Sequence, residues 1–420
     1  MKGFLIFPAL HIGNKELLFC LKSLEEINDR ILVVMKPTFF EKMKPSCKHY
    51  ILDDFEEMEL LLEKLDSKLK SINATPTGIL SIDDDAQFDI SEKISKRFKI
   101  PFYEKETLLK SSNKYLMKRA FDEVDVLNAE YGLISEAKEA KVGYPCVLKL
   151  VQGSGSEFIS LNQNQAELAR NLASVKKAVA TIQDSWFNIT EGINPRESFL
   201  VEKLLSGLEF SADFLICDGK VSIIRIVKKF NSSDLGYFLG FHLINEETLH
   251  NLGIDKGELT KMFKRIALGF GISEGVCMVD FMLCEGQLKV IESSIRPGLS
   301  TFVPLMQKLY GYTSIAVLAK AKLGMLTSIE MQKKEGAVVH IIAARDGYLK
   351  SIDISEAKNI PGVLDIHLYS KPGDKIETNE HDKWNRFLGY ALVKLESNEI
   401  QKIFEEVSTS IVLEISNEKD

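Results

Sequence analysis

Val279-Asp280-Phe281 and Val290-Ile291-Glu292-Ser293-Ser294-Ile295-Arg296-Pro297-Gly298 place two acids on neighbouring apolar runs that read as strands, joined by a turn at Glu285-Gly286. Side chains alternate along a strand, so 292, 294 and 296 share one face. That face offers a carboxylate, a hydroxyl and a guanidinium, with Asp280 able to join from the next strand. Hard oxygen donors of this kind suit Mg²⁺, which binds through one or two carboxylates and completes its shell with phosphate and water. The arginine suits the phosphate itself. A solvated hairpin with ordinary surface charges is the competing reading. The apolar residues flanking both acids would hold them near a core and favour the functional one.

Upstream, Gly143-Tyr144-Pro145-Cys146-Val147-Leu148-Lys149 reads as a strand ending in a lysine. It runs into Gln152-Gly153-Ser154-Gly155-Ser156, whose glycines allow tight turns and expose N–H groups to phosphate. No Gly-Lys-Ser/Thr closes this loop, so it is not a Walker A loop. A helical pattern covers Lys105–Ile134, with Lys114 beside Tyr115 and Met117, and further helices are expected at Gln165–Ala180 and Gly257–Phe270. Phe199–Lys203 reads as a strand, continuing as Glu202-Lys203-Leu204-Leu205. Glu209–Cys217 and Val221–Lys228 flank Asp218-Gly219, a strong hairpin signal. Glu209, Ser211 and Asp213 would share a face there.

The first hundred residues alternate β-rich runs (Phe4–Phe7, Ile31–Met35, Tyr50–Leu52, Ile79–Ile82) with helical patterns (Glu16–Glu26, Phe55–Ile72, Gln87–Phe98). This alternation predicts a parallel sheet covered by helices. GxGxxG is missing from the first loop, Pro8-Ala9-Leu10-His11-Ile12-Gly13-Asn14, which argues against a dinucleotide site; His11 there reads as solvated. From Gly336 onward, strands at Ala337–Ala344, Gly347–Ile352, Gly362–Tyr369, Gly389–Leu395 and Ile411–Ile415 surround a helix at Asn398–Val407, a small α+β unit.

A chain of 420 residues is too long for one typical core and suggests two or three domains. A net charge of -7 argues against a general affinity for nucleic acid or anionic membrane. No apolar run approaches the roughly 20 residues that span a bilayer. The opening Phe4–Phe7 run is too short for a signal-peptide core. Six cysteines without a CxxC pair read as free, mostly buried thiols and point to the cytoplasm.

The order of these features resembles the ATP-grasp superfamily along nearly the whole chain. Gly143–Ser156 is similar to that family's strand, second ATP lysine and flexible glycine-rich loop, which implies that Lys149 meets the α- and β-phosphates and that Gly153, Ser154, Gly155 and Ser156 close over them. Lys114, in Asn113-Lys114-Tyr115-Leu116-Met117, is similar to the first ATP lysine. Phe199–Leu204 resembles the adenine hinge, where Glu202 and Leu204 would present backbone groups to the base with Lys203 nearby. Glu209 matches the acid that faces the ribose. Asp280 and Glu292 match the Mg²⁺-binding (or Mn²⁺-binding) acids, and Arg296 the arginine on the transferring phosphate. The resemblance implies an α/β and α+β multidomain chain: a Rossmann-like domain at 1–104, an ATP-grasp domain at 105–330 with a flexible lobe at about 140–206, and an α+β domain at 331–420. Gly347-Tyr348-Leu349, Ile360-Pro361-Gly362-Val363, Lys371-Pro372-Gly373-Asp374 and Leu388-Gly389-Tyr390-Ala391 look like the closing domain of L-amino-acid ligases and the biotin-carboxylase-like branch. The expected activity is an ATP-dependent ligase joining a small carboxylate to an amine through an acylphosphate. Homodimers occur in that branch.

Two departures stand out. The family phrase Glu-aliphatic-Asn is Glu292-Ser293-Ser294 here, leaving Ser294 as a shorter candidate metal ligand. Tyr237-Phe238-Leu239-Gly240-Phe241-His242 resembles a Phe-x-Glu-x-Gly-His stretch near the substrates, with Leu239 replacing the acid and Phe241 the glycine. His242 then reads as a substrate-pocket residue or as a core histidine, and the pocket as more apolar. A bicarbonate-activating enzyme of the biotin-carboxylase or purine-pathway kind, and an ATP-binding regulatory protein with a degenerate site, are the alternative functions.

Overall fold

The computed structural model describes residues 3–9, 14–82, 86–153, 158–182, 192–231, 238–377, 386–396 and 400–418. The N-terminal unit alternates β1 (Gly3–Pro8), α1 (Asn14–Ser23), β2 (Ile31–Met35), α2 (Pro37–Met43), β3 (His49–Leu52), α3 (Met58–Ser71), β4 (Thr75–Ile79) and α4 (Ala86–Phe98). The strands form a parallel sheet in the order β3-β2-β1-β4. β1 and β2 are apolar without alternation because helices cover both faces. On α3, Leu61, Leu65 and Leu69 recur every four residues, and with Leu62 they bury one stripe of the helix against the sheet. β4 begins earlier than the apolar run Ile79–Ile82 suggests; its first residues are half exposed at the sheet edge, and Leu80 and Ile82 follow it into the core.

The pattern at 105–134 proves to be two helices and a strand: α5 (Lys105–Ser112), α6 (Lys114–Asp122) and β5 (Tyr131–Ile134). Asn113 separates the helices by capping α6, its side chain accepting from Tyr115 N and Leu116 N. β5 is held by pairing with β8, a tertiary contact that overrides the local helical pattern. β6 (Cys146–Leu150), β7 (Ser160–Asn162), α7 (Gln165–Val179) and β8 (Phe199–Lys203) complete a lobe with an antiparallel sheet in the order β5-β8-β6-β7.

The central sheet contains β9 (Leu208–Cys217), β10 (Lys220–Asn231), β11 (Phe238–Leu243), β12 (Gly275–Cys284) and β13 (Gln287–Ser294), with α8 (Glu246–Asn251) and α9 (Lys256–Phe270) between β11 and β12. α10 (Phe302–Tyr310) and α11 (Ser314–Lys322) follow. The sheet then continues through β14 (Glu335–Ile342), while β15 (Gly347–Asp353) leaves it. β16 (Val363–Leu368) rejoins, β17 (Lys375–Ile376) pairs with β15, and β18 (Phe387–Leu395), α12 (Ile400–Thr409) and β19 (Val412–Ser416) close the chain. The eight-stranded order is β13-β12-β9-β10-β11-β14-β18-β16. The sheet therefore runs across residue 330, and the C-terminal strands extend it. α9 packs against one face, where the Phe214 and Phe263 rings stack 4.6 Å apart. α10 and α11 fill the other face and join it to the core of β1 and β2.

All six cysteines are free. Among the described residues, no helix is long and apolar enough to cross a membrane.

Candidate active site

β9 obeys strict alternation. Phe210, Ala212, Phe214 and Ile216 enter the core beneath α9, leaving Glu209, Ser211 and Asp213 for the opposite face. β12 lies between β9 and β13, and Asp280 stands opposite Ser211 on one side and Glu292 on the other. The β12–β13 register steps from Asp280↔Glu292 to Phe281↔Val290, so Ile291 is a bulge. That extra residue turns Glu292 to the same face as Asp280. A second bulge, at Ile224, shifts β10 between Ile223↔Phe214 and Arg225↔Asp213. It brings Arg225 and Lys229 onto the polar face.

Both cations find acids there. Lys229 Nζ donates to Asp280 Oδ2 at 2.7 Å and Glu209 Oε1 at 2.8 Å, and sits 4.8 Å from the Phe238 ring centroid. Burial disfavours its ammonium, but Asp280 and Glu209 outweigh that and hold its pKa above the ordinary lysine range. Arg225 is fully buried and forks onto Asp213, Nε to Oδ2 and Nη2 to Oδ1, each at 2.8 Å. Asp213 Oδ1 also accepts the Gly298 N–H at 3.0 Å. The Arg296-Pro297-Gly298 turn is thereby pinned to the sheet. A Cβ on Gly298 would stand 2.3 Å from Arg225 Nη2, so glycine is required by close approach.

The lobe supplies the facing wall. Lys149 and Glu202, on adjacent strands β6 and β8, meet at 3.0 Å (Nζ to Oε2). The other oxygen of Glu202 lies 3.4 Å from Lys118 Nζ, whose side chain is fully buried. Burial would raise the Glu202 carboxyl, yet Lys149 and Lys118 together hold it below the usual range. Lys114, the first residue of α6, donates to Gly153 O at 2.7 Å and lies 3.3 Å from Glu292 Oε2, so it ties the glycine-rich loop to the acid-bearing sheet.

Between these walls is a cleft of about 210 Å³, lined by Lys114, Lys149, Gly153, Asp280, Glu292 and Arg296 together with Ser211 and Lys229. Phe238, Phe241, Met278, Leu299 and Phe302 make its apolar end. His340 braces that end, its ring nitrogens 2.7 Å from Phe238 O and 2.8 Å from Thr301 Oγ1. Burial depresses its pKa to about 4.

Lys114, Lys149, Gly153, Asp280, Glu292 and Arg296, all expected at the site from the sequence, thus face one space. Glu209 lies behind it, on Lys229 and Asn231. Glu202 contributes a buried carboxylate, and its backbone is engaged in β8 between β5 and β6. Lys203 and Leu204 lie exposed at the end of β8, where their N–H groups donate to Glu130 O and Pro145 O. The Ser294 hydroxyl lies 3.2 Å from Ser111 Oγ on α5, and Ser294 is not among the residues lining the cleft. His242 is buried against Glu335, with 3.7 Å between Nε2 and Oε1, and is likewise absent from the lining. Ser154, Gly155 and Ser156 lie outside the described residues. Lys118, Lys229 and Arg225 escaped the sequence reading. Lys118 had a signal, one helical turn after Lys114; the other two depend on the Ile224 bulge.

Residues 142–298 match the family model for the ATP-grasp domain. Over 333 residues the chain is 25% identical to an uncharacterized protein, y4rH, of Sinorhizobium fredii, a match covering 76% of this chain and 65% of that relative's length. In fold it is similar to an L-amino acid ligase from Bacillus licheniformis (TM-score 0.73, 17% identity, 99% of each chain covered). It is also similar to N5-carboxyaminoimidazole synthase from Aspergillus clavatus, solved with ADP and 5-aminoimidazole ribonucleotide (0.66, 14%, 97% of each chain). A third similar structure is the biotin carboxylase domain of Hydrogenobacter thermophilus 2-oxoglutarate carboxylase with MgADP and bicarbonate (0.66, 15%, 99% of this chain and 90% of that one). The family match falls on the lobe and on the sheet that carry the paired lysines and acids, and the similar folds extend along the whole chain.

Proposed function

We propose that the protein is an ADP-forming carboxylate–amine ligase that joins small amino-acid-like substrates. The observation that carries this reading is the single cleft shared by Lys114, Lys149, Gly153, Asp280, Glu292 and Arg296, which come from the lobe and the central sheet. Lys149 and Lys114 would clamp nucleotide phosphates, and Arg296 would neutralise the phosphoryl group as it passes to a substrate carboxylate and ADP leaves. An amine then attacks the resulting acylphosphate, a C–N bond forms, and phosphate leaves with the C–O bond electrons. Positioning and charge neutralisation are what phosphoryl transfer asks of a protein, and no covalent enzyme intermediate is needed.

Asp280 and Glu292 face each other across two strands and offer hard carboxylate oxygens to the cleft. This donor set fits Mg²⁺ or Mn²⁺, with nucleotide phosphates and water as the remaining ligands. Among the described residues no three His, Cys, Asp or Glu side chains are grouped to hold a metal by themselves. Such an ion would neutralise phosphate charge and orient the phosphates. Lys229 keeps Asp280 compensated, and Lys114 does the same for Glu292. The aromatic end of the cleft favours a substrate with a bulky apolar side chain, and Phe241, in place of a glycine, is part of that end, whereas Leu239 is exposed and not among the lining residues.

An ADP-release screen over amino acids, singly and in pairs, with mass detection of products tests this reading, with bicarbonate as a separate arm. A condensed product formed in step with ADP is expected. ADP release that needs bicarbonate and no amino acid would transfer the protein to the carboxylating branch. Binding of Mg²⁺–ATP without stimulation by any pair would sink the ligase reading.

A further inference from the structure

Lys118 is a lysine with no route to solvent. Its Nζ lies 3.4 Å from Glu202 Oε1 and 5.5 Å from the Tyr131 ring centroid, and neither Nζ nor Oε1 makes a hydrogen bond in the structure. Lys149 holds the other carboxylate oxygen at 3.0 Å. Two lysine side chains therefore share one buried carboxylate, and only Lys149 lines the cleft. The Lys118–Glu202 contact is left unclosed at 3.4 Å, whereas the Lys149–Glu202 contact is made.

We infer that Lys118 is a positioning residue: it compensates Glu202 so that Lys149 can leave that carboxylate for a nucleotide phosphate. This rests on the reading that Lys149 meets the nucleotide. A buried carboxylate stripped of its cation is strongly unfavourable. Were Lys149 the sole partner of Glu202, its movement toward phosphate would expose that cost, and nucleotide binding would be charged with it. With Lys118 in place, the departure of Lys149 leaves a neutral Lys118–Glu202 pair, whose 3.4 Å gap has room to close to hydrogen-bond length. Burial pulls the Lys118 pKa below the ordinary lysine range and Lys149 adds to that, while Glu202 and Glu292 favour its ammonium. Departure of Lys149 removes its repulsion as well.

The test is calorimetric titration of the full chain with Mg²⁺–ADP, with circular dichroism to verify folding. Lys149→Met should weaken binding; if it does not, Lys149 is no nucleotide ligand and the premise fails by itself. Lys118→Met should raise Kd by about tenfold or more, because Lys149 then stays on Glu202. In a Glu202→Gln background the same substitution should change Kd by less than about twofold, since nothing retains Lys149. An unchanged Kd in Lys118→Met, or an equal loss in both backgrounds, overturns the inference; a purely structural lysine would lower melting temperature in both and leave Kd alone. Should Lys118→Met fail to fold, a crystal structure of the wild type with Mg²⁺–ADP decides. Lys118 Nζ within about 3 Å of Glu202 and Lys149 on phosphate is expected, and Lys149 still on Glu202 overturns it.

Discussion

Lys229→Met isolates the ion pairs beneath the acids of the cleft. The wild-type ammonium sits 2.7 Å from Asp280 and 2.8 Å from Glu209, with its side chain 8% exposed. At an effective dielectric near 20, each contact represents a gross attraction of roughly 6 kcal/mol, much of it cancelled by desolvation. Removing one member of a buried pair costs about 3–5 kcal/mol. Asp280 and Glu209 keep 24% and 15% exposure, so the lower end applies, a loss of about 3 kcal/mol. Methionine preserves the stem packing and the contact with Phe238, which leaves charge as the main change. Thermal melts by circular dichroism in EDTA should show the transition lowered by roughly 3–4 °C. Saturating MgCl₂ should then restore more in the variant than in the wild type, because the freed carboxylates can take the cation; at 100 times its Kd a ligand adds about 2.7 kcal/mol. A variant that melts with the wild type in EDTA, or a Mg²⁺ shift equal in both proteins, would refute this account of Lys229.

Glu292→Gln should retain the fold, since the side chain is 30% exposed, while turnover in the ADP-release assay falls by about 10²–10³-fold; unchanged turnover would remove Glu292 from the site. Gly298→Ala forces a methyl against the Arg225 guanidinium, and a loss of about 1–3 kcal/mol in denaturant melts is expected, together with a lower kcat as Arg296 is displaced. His340 has its pKa depressed to about 4 in the fold, so between about pH 6.5 and 4 the unfolded chain binds more protons, and stability falls as pH falls through that window. The contribution reaches about 3 kcal/mol. His340→Gln should flatten the corresponding part of a stability–pH series, and a slope identical to that of the wild type would contradict it.

Much of the fold was legible because it follows local rules. The parallel N-terminal sheet shows as unbroken apolar strands between helical stripes, and the two tight hairpins show as Asp218-Gly219 and Glu285-Gly286, whose φ values of 50° and 70°, and 48° and 79°, are those of type I′ turns. The boundary between α6 and β5 was not legible, because β5 exists only by pairing with β8. Nor was the continuity of the central sheet past residue 330, since β11–β14 pairing joins segments almost a hundred residues apart. Ser294 and His242 illustrate the limit for single residues: alternation assigns a face, but Ser111 and Glu335, from distant elements, lie beside their polar groups.

Lys114, Lys149, the glycine-rich turn, Glu202, Asp280, Glu292 and Arg296 were legible along the chain in order, each with its strand or helix. Tertiary structure decided which of them face one another. Counting back from the Glu285-Gly286 turn without interruption sets Asp280 opposite Ile291 and sends Glu292 to the far face; the bulge at Ile291 reverses that. Counting from Asp218-Gly219 likewise sets Lys228, not Lys229, beside Glu209, until the bulge at Ile224 shifts the strand by one. Strand side chains repeat every two residues, so one inserted residue exchanges the faces of everything beyond it. Whether the insertion forms is settled by packing across the sheet, where Ile224 is buried in the core with α10 and α11, and by the ion pairs that the shifted strand can make.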